Sequence, residues 1–501
     1  MSNEDTTADT TGPSGAVVGE ERLLIDGELR AARSGAVFET VNPATGEVIG
    51  VVADGATADL DDAIGAARRA FDGTDWSTDV ALRVRGLRQL QAAFEKHADE
   101  IRAMTVAETG SPLSLTYSAQ LDTPVGSLGW VADLAEGYEW ETDLGNAEPL
   151  GIPSHRWVRR EATGVVGAIT PWNVPHQINL AKLGPALAAG NTVVLKPAPD
   201  TPLCATVLGR LIAEETDIPA GVVNIVPSSD HAIGALLSVD PRVDQVSFTG
   251  STATGRKVMA SAADTVKKVF LELGGKSAFV ILDDADLRGA CATAAFTVCT
   301  HAGQGCAITT RLLVPRTLFD EAVDSTSRVM AKLPAGDPTD PGTICGPLVS
   351  ARQRDRVEGY LKLALDEGGS FALGGGRPEG LDGGFFVEPT LIVGVGNDAR
   401  VSQEEIFGPV LVVIPFDDDD DAVALANDSA YGLSGSVWSA DRERAVAVAN
   451  RIRTGTIGIN GGLWFSPDVP FGGYRQSGVG RESGVAGFEE YLETKSLAEP
   501  A

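Results

Sequence analysis

From Val165 onward, the sequence alternates short runs rich in β-branched residues with longer segments of helical pattern. The apolar runs VVGAIT, TVVLKPA and VVNIVP are separated by HQINLAKLGPALAAG and TPLCATVLGRLIAEET. Strands that alternate with helices in this way form parallel sheets with helices on both faces. The pattern therefore predicts a doubly wound α/β domain, whose ligands bind at the carboxyl ends of the strands.

A second alternation of strands and helices begins near Ser277. It opens with SAFVIL, ADLRGACATAAFTV and RLLVP, and it continues through TLIVGV, PVLVVIPF and GSVWS. A chain of 501 residues is longer than one hydrophobic core normally serves. We therefore expect a second α/β domain. The acidic run Asp417 to Asp421 lacks the spacing of a calcium loop, so it predicts a solvated helix start and no metal site.

The charge of the chain limits the partners that it can bind. Sixty-nine acidic residues against 40 basic ones give a formal net charge of -29. Such a charge repels nucleic acid and anionic membrane surfaces, so neither is expected as a partner. The acidity leaves open whether the protein works in a salt-rich cell.

The cysteines and the first residues point to a reducing cytoplasm. The five cysteines are odd in number and form no C-x-x-C pair, which disfavours a disulfide framework. Residues 1–20 are polar and acidic, unlike a signal peptide, and predict a disordered tail. No apolar run is long enough to span a bilayer, which predicts a soluble protein.

Three residues are candidates for catalytic roles, although each also has a purely structural interpretation. Cys306 lies in HAGQGCAITTR, where flanking glycines let the backbone bend around a substrate, but a lone cysteine is more often an inert buried thiol. Glu272 ends a predicted parallel strand in LELGGK, where ordinary carboxylates are also common. Asn173 lies in the proline-braced turn PWNVP, where it either donates to an oxyanion or only shapes the turn.

Seven motifs occur in an order that resembles the aldehyde dehydrogenase superfamily. They are GAITPWNVP, VVLKPA, FTGS, LELGGK, GQGC, EEIFGPV and PFGGYRQSG, and the resemblance extends from about Ile25 to Leu497. It implies an aldehyde dehydrogenase-like α/β fold with a Rossmann-type cofactor domain, an α/β catalytic domain and a small β oligomerisation element. The activity it implies is the NAD(P)-dependent oxidation of an aldehyde to a carboxylic acid.

The resemblance assigns roles to the three chemical residues. Cys306 would attack the aldehyde carbon as a thiolate, and the Asn173 amide with the Cys306 backbone N–H would hold the resulting oxyanion. Glu272 would activate the water that hydrolyses the thioester. Glu482 in GRESG matches a second family carboxylate that can help proton movement, and the alternative is an exposed helix residue without a role.

The resemblance also assigns the cofactor site. Lys196 would bind the adenosine ribose, Glu405 the nicotinamide ribose, and Phe407 would pack beside the ring. FTGS opens a helix whose free N–H groups suit a pyrophosphate. The other cofactor residues implied are Ile169, Trp172, Gly234, Phe248, Gly250 and Ser251.

One position departs from the family pattern and affects the choice of cofactor. Many NAD-preferring members have a glutamate three residues after the lysine, whereas this chain has Pro199 there, followed by Asp200. The usual selector against a 2′-phosphate is therefore missing. We still expect NAD because KPAPDTP offers no further cation to bind a phosphate, and NADP remains open.

The resemblance also implies the walls of the substrate tunnel. Their mixture of small and aromatic side chains predicts an apolar, bulky aldehyde, with no lysine or arginine to bind an anion. His301 is expected to line the pocket and not to act as a base. The predicted walls are Val174, Gln177, Ala181, Thr300, His301, Trp464, Phe465 and Phe471.

The resemblance finally divides the chain and implies a homodimer or homotetramer. The predicted parts are a tail at 1–20, a cofactor domain at 21–136 and 161–271, a catalytic domain at 272–478, and an oligomerisation element at 137–160 and 479–501. Three alternatives stay open: a CoA-acylating dehydrogenase, which Glu272 argues against; a cysteine hydrolase using Cys306 with His301; and a binding protein that keeps the fold without the chemistry.

Overall fold

The computed structural model describes residues 19–501, so the predicted tail at 1–20 lies almost wholly outside the described residues. The strands, numbered in chain order, are β1 (Leu23–Ile25), β2 (Glu28–Arg30), β3 (Val37–Val41), β4 (Val48–Ala53), β5 (Glu141–Ala147), β6 (Ser154–Ala162), β7 (Val165–Ile169), β8 (Thr192–Lys196), β9 (Val223–Ile225), β10 (Gln245–Thr249), β11 (Lys268–Glu272), β12 (Ser277–Ile281), β13 (Thr309–Pro315), β14 (Ser370–Leu373), β15 (Thr390–Val393), β16 (Val410–Phe416), β17 (Gly435–Trp438), β18 (Gly458–Ile459), β19 (Gly478–Val479) and β20 (Leu492–Pro500).

The helices are α1 (Thr57–Gly73), α2 (Val80–Lys96), α3 (Ala98–Thr109), α4 (Leu113–Thr116), α5 (Asp122–Gly137), α6 (Pro175–Ala189), α7 (Leu203–Glu215), α8 (Gly234–Val239), α9 (Thr252–Ala262), α10 (Leu287–Cys299), α11 (Phe319–Met330), α12 (Ala351–Asp366), α13 (Arg400–Gln403), α14 (Asp419–Asn427), α15 (Arg442–Ala449) and α16 (Gly484–Glu489). Among the described residues, no helix is both long and apolar enough to cross a membrane.

The first sheet has eight strands in the order β19-β11-β10-β7-β8-β9-β1-β2. Its five central strands, β11 to β9, are parallel to one another, as the alternation in the sequence predicts. Antiparallel strands complete both edges: β19 pairs with β11, and β1 pairs with β9 and β2. The parallel centre directs the carboxyl ends of β7, β8, β10 and β11 to one side of the sheet.

The central strands bury both of their faces, which explains why they are apolar throughout. Val166 and Val193 belong to a core shared with α2, α5, α6 and α7. Val165 and Val194, their neighbours in the chain, face the opposite core, which includes residues of α1. Successive residues of a strand point to opposite faces, so each face needs its own layer of helices.

The second sheet has seven strands in the order β14-β15-β16-β13-β12-β17-β18. All neighbouring pairs are parallel except β14 with β15. Its helices include α14, whose start matches the prediction for the acidic run, because the Asp418 side chain accepts the N–H of Asp421 there.

A small three-stranded sheet joins distant parts of the chain. Strand β20 pairs antiparallel with β6 along its whole length, and β6 pairs antiparallel with β5. The two segments that we assign to an oligomerisation element therefore lie side by side. Strand β19 belongs to the eight-stranded sheet, however, so only part of residues 479–501 lies in this small sheet.

A four-residue linker, 273–276, connects the two large sheets, since β11 ends at Glu272 and β12 begins at Ser277. Arg311, buried on β13, fixes the end of this linker. Its Nε donates to the Lys276 carbonyl at 3.0 Å, and its two Nη atoms donate to Asn397 Oδ1, Leu425 O and Ala426 O at 2.7 to 3.0 Å. Burial lowers the pKa of Arg311 only to about 10, so it keeps its charge at neutral pH.

Replacing Arg311 with leucine should therefore destabilise the protein. The substitution leaves several buried oxygen atoms without a donor, which we expect to cost about 3 kcal/mol of unfolding free energy. Urea unfolding followed by circular dichroism measures the loss. The control is Arg328→Leu, because Arg328 is exposed and its pairing with Asp324 is of the weak i,i+4 kind. Equal stabilities of the two variants would contradict this role for Arg311.

Candidate active site

The three residues expected to carry the chemistry line one cavity. Asn173 lies between β7 and α6, Glu272 ends β11, and Cys306 lies between α10 and β13. All three border a single cavity of about 340 Å³. The sheet topology explains this convergence, because β7 and β11 present their carboxyl ends at the same side.

The loop that carries Cys306 has an unusual backbone. His301, Ala302 and Gly303 all have positive φ values, of 50°, 51° and 70°. The side-chain amide of Gln304 holds the loop: Nε2 donates to the carbonyls of His301 at 3.1 Å and Pro347 at 3.2 Å, and Oε1 accepts the N–H of Val349 at 2.9 Å. The surrounding protein therefore supports a conformation that costs energy locally.

Asn173 is buried and held at both its backbone and its side chain. Its carbonyl accepts a hydrogen bond from Gln120 Nε2 at 2.9 Å, and its Nδ2 donates to the Gln304 carbonyl at 2.9 Å. An amide nitrogen carries two hydrogens. One is engaged with Gln304, which leaves the other as a fixed donor for a group in the cavity.

His301 is not available as a base for Cys306. Its Nε2 lies 2.7 Å from the carbonyl oxygen of Asn173, and burial lowers its pKa to about 4. The imidazole is therefore neutral and donates to that carbonyl. This geometry argues against the cysteine hydrolase alternative.

Glu272 is almost completely buried, with 2% of its surface exposed. Neither of its carboxyl oxygens has a hydrogen-bond partner among the described residues. Burial raises the pKa of Glu272 well above its usual range, the charge of Glu482 raises it further, and Lys182 opposes the shift. A carboxyl group without partners in an apolar cavity is a stronger base than an ordinary glutamate once it is ionised.

The alternative that Glu482 is an exposed helix residue is wrong. The residue is buried, and its backbone pairs with Phe471, so helix α16 begins only after it. Its carboxylate accepts a hydrogen bond from Lys182 Nζ at 2.8 Å, and Lys182 also donates to Ser247 Oγ at 3.1 Å. Sequence reasoning missed Lys182 because nothing in the sequence around it signals a partner 300 residues away.

The environment of Cys306 disfavours a negative charge on its sulfur. Burial raises the pKa of the thiol, and the carboxylates of Glu272, Glu405 and Glu482 raise it further. These effects favour the thiol form of Cys306, so the role of nucleophile that the resemblance implies requires a route for the proton.

The residues assigned to the adenosine end of the cofactor gather at the strand ends. Ile169 ends β7, Lys196 ends β8, and Gly234 lies against both, since a methyl group added there would be 3.7 Å from Ile169 and 3.8 Å from Lys196. Phe248, near the end of β10, lies directly beside Gly250. This is the edge of a parallel sheet at which nucleotides bind.

The helix that follows this edge offers free donors. Ser251 caps α9, with its Oγ accepting the N–H of Thr254 at 3.3 Å, and it is exposed. The remaining N–H groups of the first helical turn have no partner within the helix, which suits an anionic group.

The residues assigned to the nicotinamide end also lie together. Glu405 Oε1 accepts the N–H of Gly275 at 3.0 Å, and a side chain at Gly274 would collide with the same carboxylate. The rings of Trp172 and Phe407 meet edge to face with their centroids 5.4 Å apart. Phe407 has a φ of 64°.

Gln353, which sequence reasoning missed, holds Phe407 in place. Its Nε2 donates to the Phe407 carbonyl at 2.8 Å, and Arg356 donates to the carbonyl of Glu405 at 2.6 Å. Both donors come from α12, which has no sequence pattern of its own that marks a ligand site.

Five of the predicted tunnel residues line the cavity and three do not. The five are Val174, Gln177, Trp464, Phe465 and Phe471. Ala181 borders a small adjacent pocket, the Thr300 hydroxyl donates to the Phe296 carbonyl, and His301 turns to Asn173. His301 has a positive φ, and its side chain contacts Asn173. The sequence does not reveal a positive φ at this position. Walls that sequence reasoning missed include Ile308, Leu463 and Val469.

The chain matches the aldehyde dehydrogenase family across residues 30–497. It belongs to this family. A curated relative, 3-succinoylsemialdehyde-pyridine dehydrogenase of a Pseudomonas species, is 43% identical over 479 residues, which cover 95% of this chain and 98% of the relative. The match confirms the predicted family, the fold class and the aldehyde dehydrogenase activity.

Two solved structures are similar to this aldehyde dehydrogenase over nearly their whole length. Betaine aldehyde dehydrogenase from Staphylococcus aureus, in complex with NAD+, is 36% identical with a TM-score of 0.93, covering 96% of this chain and 95% of that one. An aldehyde dehydrogenase of Mycobacterium tuberculosis, complexed with NAD+, is 42% identical with a TM-score of 0.91, covering 95% and 97%.

Replacing Glu482 with glutamine should shift the pH dependence of this aldehyde dehydrogenase. The substitution removes a negative charge and leaves Lys182 unpaired, and both changes lower the pKa of Glu272. Turnover that depends on Glu272 as a base, the role that the resemblance implies, is lost as the pH falls through that pKa. The acid limb of kcat should therefore move to lower pH, by about one unit.

Profiles of kcat between pH 5 and 9 measure this shift. Glu443→Gln, at an exposed position of α15, is the matched control and should leave the limb in place. An acid limb that moves to higher pH in Glu482→Gln would contradict the electrostatic argument.

Proposed function

We propose that this aldehyde dehydrogenase oxidises a neutral, apolar aldehyde to a carboxylic acid with NAD as the cofactor, through a thioester on Cys306. One observation carries the proposal: Cys306, Asn173 and Glu272 border the same cavity. A nucleophile, an oxyanion donor and a base on one cavity are the groups that acyl chemistry needs.

The first step joins the sulfur of Cys306 to the aldehyde carbon. The thiol gives its proton to solvent water at the open side of the cavity, where Leu463 is 85% exposed. The carbonyl π bond then breaks, and the oxyanion accepts hydrogen bonds from the second N–H of Asn173 and the backbone N–H of Cys306. The protonated form of Glu272, which burial favours, adds no negative charge beside the sulfur.

Bound NAD supplies the two-electron acceptor for this oxidation, and the reaction leaves an acyl group on Cys306. In the second step Glu272, now ionised, takes a proton from a water molecule. The water oxygen bonds to the acyl carbon as the C–S bond breaks, which releases the carboxylic acid and the sulfur.

The side chains assigned to the cofactor fit NAD in their chemistry. Lys196 and Glu405 suit ribose hydroxyls, and the start of α9 suits a pyrophosphate. Glycine at positions 234, 250 and 274 adds no Cβ atom beside the side chains of Lys196, Phe248 and Glu405. Two solved relatives bind NAD+. The full set that we assign to the cofactor is Ile169, Trp172, Lys196, Gly234, Phe248, Gly250, Ser251, Glu405 and Phe407.

The walls of the cavity favour a neutral aldehyde. Lysine, arginine and histidine are absent from the described residues that line it, whereas two carboxyl groups are present. The rings of Trp464 and Phe471 stack at 5.5 Å and form an apolar wall. The name of the Pseudomonas relative includes a pyridine, an aromatic group that such a wall accommodates.

The proposal extends to the organisation of the chain. Its cofactor domain comprises 21–136 and 161–271, its catalytic domain 272–478, and the three-stranded sheet forms the core of an assembly element in a homodimer or homotetramer. We place the enzyme in the cytoplasm because its buried cysteines are all free thiols. Light scattering on the purified protein measures the assembly.

Glu272→Gln separates the two chemical steps and tests the mechanism. The glutamine is neutral, so the first step proceeds, but no base activates the water. Mixing the variant with excess NAD+ and aldehyde should give a burst of about one reduced cofactor per active site, followed by turnover at least about a hundredfold slower than wild type.

Cys306→Ser is the matched control and should give neither burst nor turnover, while Cys204→Ala, at a buried thiol that does not line the cavity, should behave as wild type. A Glu272→Gln variant without a burst would contradict the assignment of this residue to the second step alone. A burst in Cys306→Ser would contradict the proposed function as a whole.

The charge of the cavity predicts substrate selectivity. The residues that line the cavity include no cation to pair with an anionic substrate, and Lys182 is already engaged with Glu482. We expect kcat/KM for benzaldehyde to exceed that for succinic semialdehyde by at least about a hundredfold at pH 8, which corresponds to placing an unpaired charge in the site. The rate of formation of reduced cofactor measures both. Equal values would contradict the neutral-substrate proposal.

A further inference from the structure

An ion pair at the edge of the cofactor cleft joins two distant parts of the chain. Asp200 follows Lys196 by four residues, in the turn after β8, and Arg352 lies in the first turn of α12. Arg352 Nη2 lies 3.3 and 3.4 Å from the two oxygens of Asp200. The Asp200 side chain is 15% exposed and that of Arg352 is 68% exposed. The carboxylate is therefore the fixed partner.

Asp200 is one of several carboxylates around the Lys196 ammonium group. Lys196 Nζ donates to the Ser228 carbonyl at 3.4 Å, and the Ser228 hydroxyl donates to Asp54 at 3.3 Å. Ser229 donates to the same Asp54 carboxylate through its N–H and its hydroxyl. Asp230 follows in this loop, and its N–H donates to Ser228 Oγ. The lysine thus sits among three acidic side chains.

The acidic side chains in this region favour the charged form of Lys196, as their positions around it imply. Burial lowers the pKa of Lys196 to about 8, and the negative charges of Asp230, Asp200 and Asp54 oppose that lowering. Burial and the positive charges of Lys196 and Arg352 lower the pKa of the neighbouring His231, and the negative charge of Asp200 opposes that lowering. The three acidic residues and Arg352 therefore share one electrostatic environment with the side chain that we assign to the adenosine ribose.

This environment is unfavourable for a 2′-phosphate. A phosphate monoester carries a charge of about -1.5 to -2 at neutral pH, so nearby carboxylates repel it. The obvious cation for binding it is Arg352, because arginine binds phosphate through its planar fork. Here that guanidinium group forms an ion pair with the Asp200 carboxylate. Pro199, by contrast, provides neither charge nor a hydrogen-bond donor.

We propose that Asp200, paired with Arg352, is the specificity-determining residue by which this enzyme selects NAD over NADP, in place of a carboxylate at position 199. The inference rests on the proposed function, since it takes the cleft at Lys196 as the adenosine site. It assigns the selection of NAD to an ion pair between two residues that are distant in the chain. Arg352 lies 152 residues from Asp200 in the sequence, so the segment KPAPDTP alone does not reveal the pair.

Binding of adenosine ligands to the full chain tests the proposal without any need for turnover. Calorimetry gives the Kd of 5′-AMP and of adenosine 2′,5′-bisphosphate, and their ratio isolates the 2′-phosphate. Wild type should prefer 5′-AMP. Asp200→Asn removes one negative charge and frees Arg352, so the ratio should move toward the bisphosphate by at least about tenfold.

Two further variants locate the effect. Arg352→Gln leaves Asp200 unpaired and should move the ratio further toward 5′-AMP, and in the double variant the gain from Asp200→Asn should shrink because no guanidinium is freed. Arg352 is exposed on a helix, so its variant remains informative even where Asp200→Asn fails to fold. Asp217→Asn, at an exposed carboxylate paired with Arg85, is the matched control and should leave the ratio unchanged.

The outcomes distinguish this inference from the proposed function. A wild type that prefers the bisphosphate, or an Asp200→Asn ratio within about twofold of wild type, would overturn the inference alone, provided that NAD+ still binds and supports aldehyde oxidation. A wild type that binds neither NAD+ nor either adenosine ligand would overturn the proposed function and this inference with it.

Discussion

The burial of an unpaired carboxyl group at Glu272 is the constraint on which the active site depends. Placing a carboxylate in a cavity without a hydrogen-bond partner is costly, so the group either protonates or needs a compensating charge nearby. Glu482, which lines the same cavity and pairs with Lys182 of α6, raises the pKa of Glu272 more than Lys182 lowers it, so the constraint is met by protonation. Strand β11 fixes the position of Glu272 between its neighbours β10 and β19. The base is therefore held by the sheet and not by its own hydrogen bonds.

The linker between the two large sheets brings the cofactor side and the nucleophile together. Gly274 leaves room for the Glu405 carboxylate, which would otherwise lie 2.3 Å from a Cβ atom. Gly275 likewise leaves room for the Cys306 carbonyl, at 2.7 Å from the position of a Cβ. Two glycines in succession thus allow a cofactor-side carboxylate and the nucleophile loop to approach one short segment of backbone. This close packing explains why Glu272, at the start of the linker, is within the same cavity as Cys306.

Much of the fold was predictable from the sequence because its dominant signal is local. The parallel strands are short apolar runs buried on both faces, and each is followed by a helical pattern, so both large sheets could be recognised. The antiparallel edge strands β1, β2 and β19 are two or three residues long and carry no such signal. The convergence of Cys306, Glu272 and Asn173 was predictable only through the resemblance to a family. The contacts of Glu482 were not, because a backbone bridge to Phe471 decides its environment. Lys182, Gln304 and Arg352 were missed for the same reason, since their partners are distant in the chain.

The raised pKa values of Cys306 and Glu272 impose an order on the chemistry. The charge of Glu272 raises the pKa of Cys306. Because the repulsion between two negative charges is reciprocal, the cavity favours only one ionised group of the two at a time. While the sulfur is the nucleophile, a protonated Glu272 beside it is the favoured state. Once the sulfur carries an acyl group it has no charge, and the cost of ionising Glu272 falls. In the proposed mechanism the same carboxyl group thus stays out of the first step and acts as a base in the second. The electrostatics of one small cavity therefore separate two reactions that share the same residues.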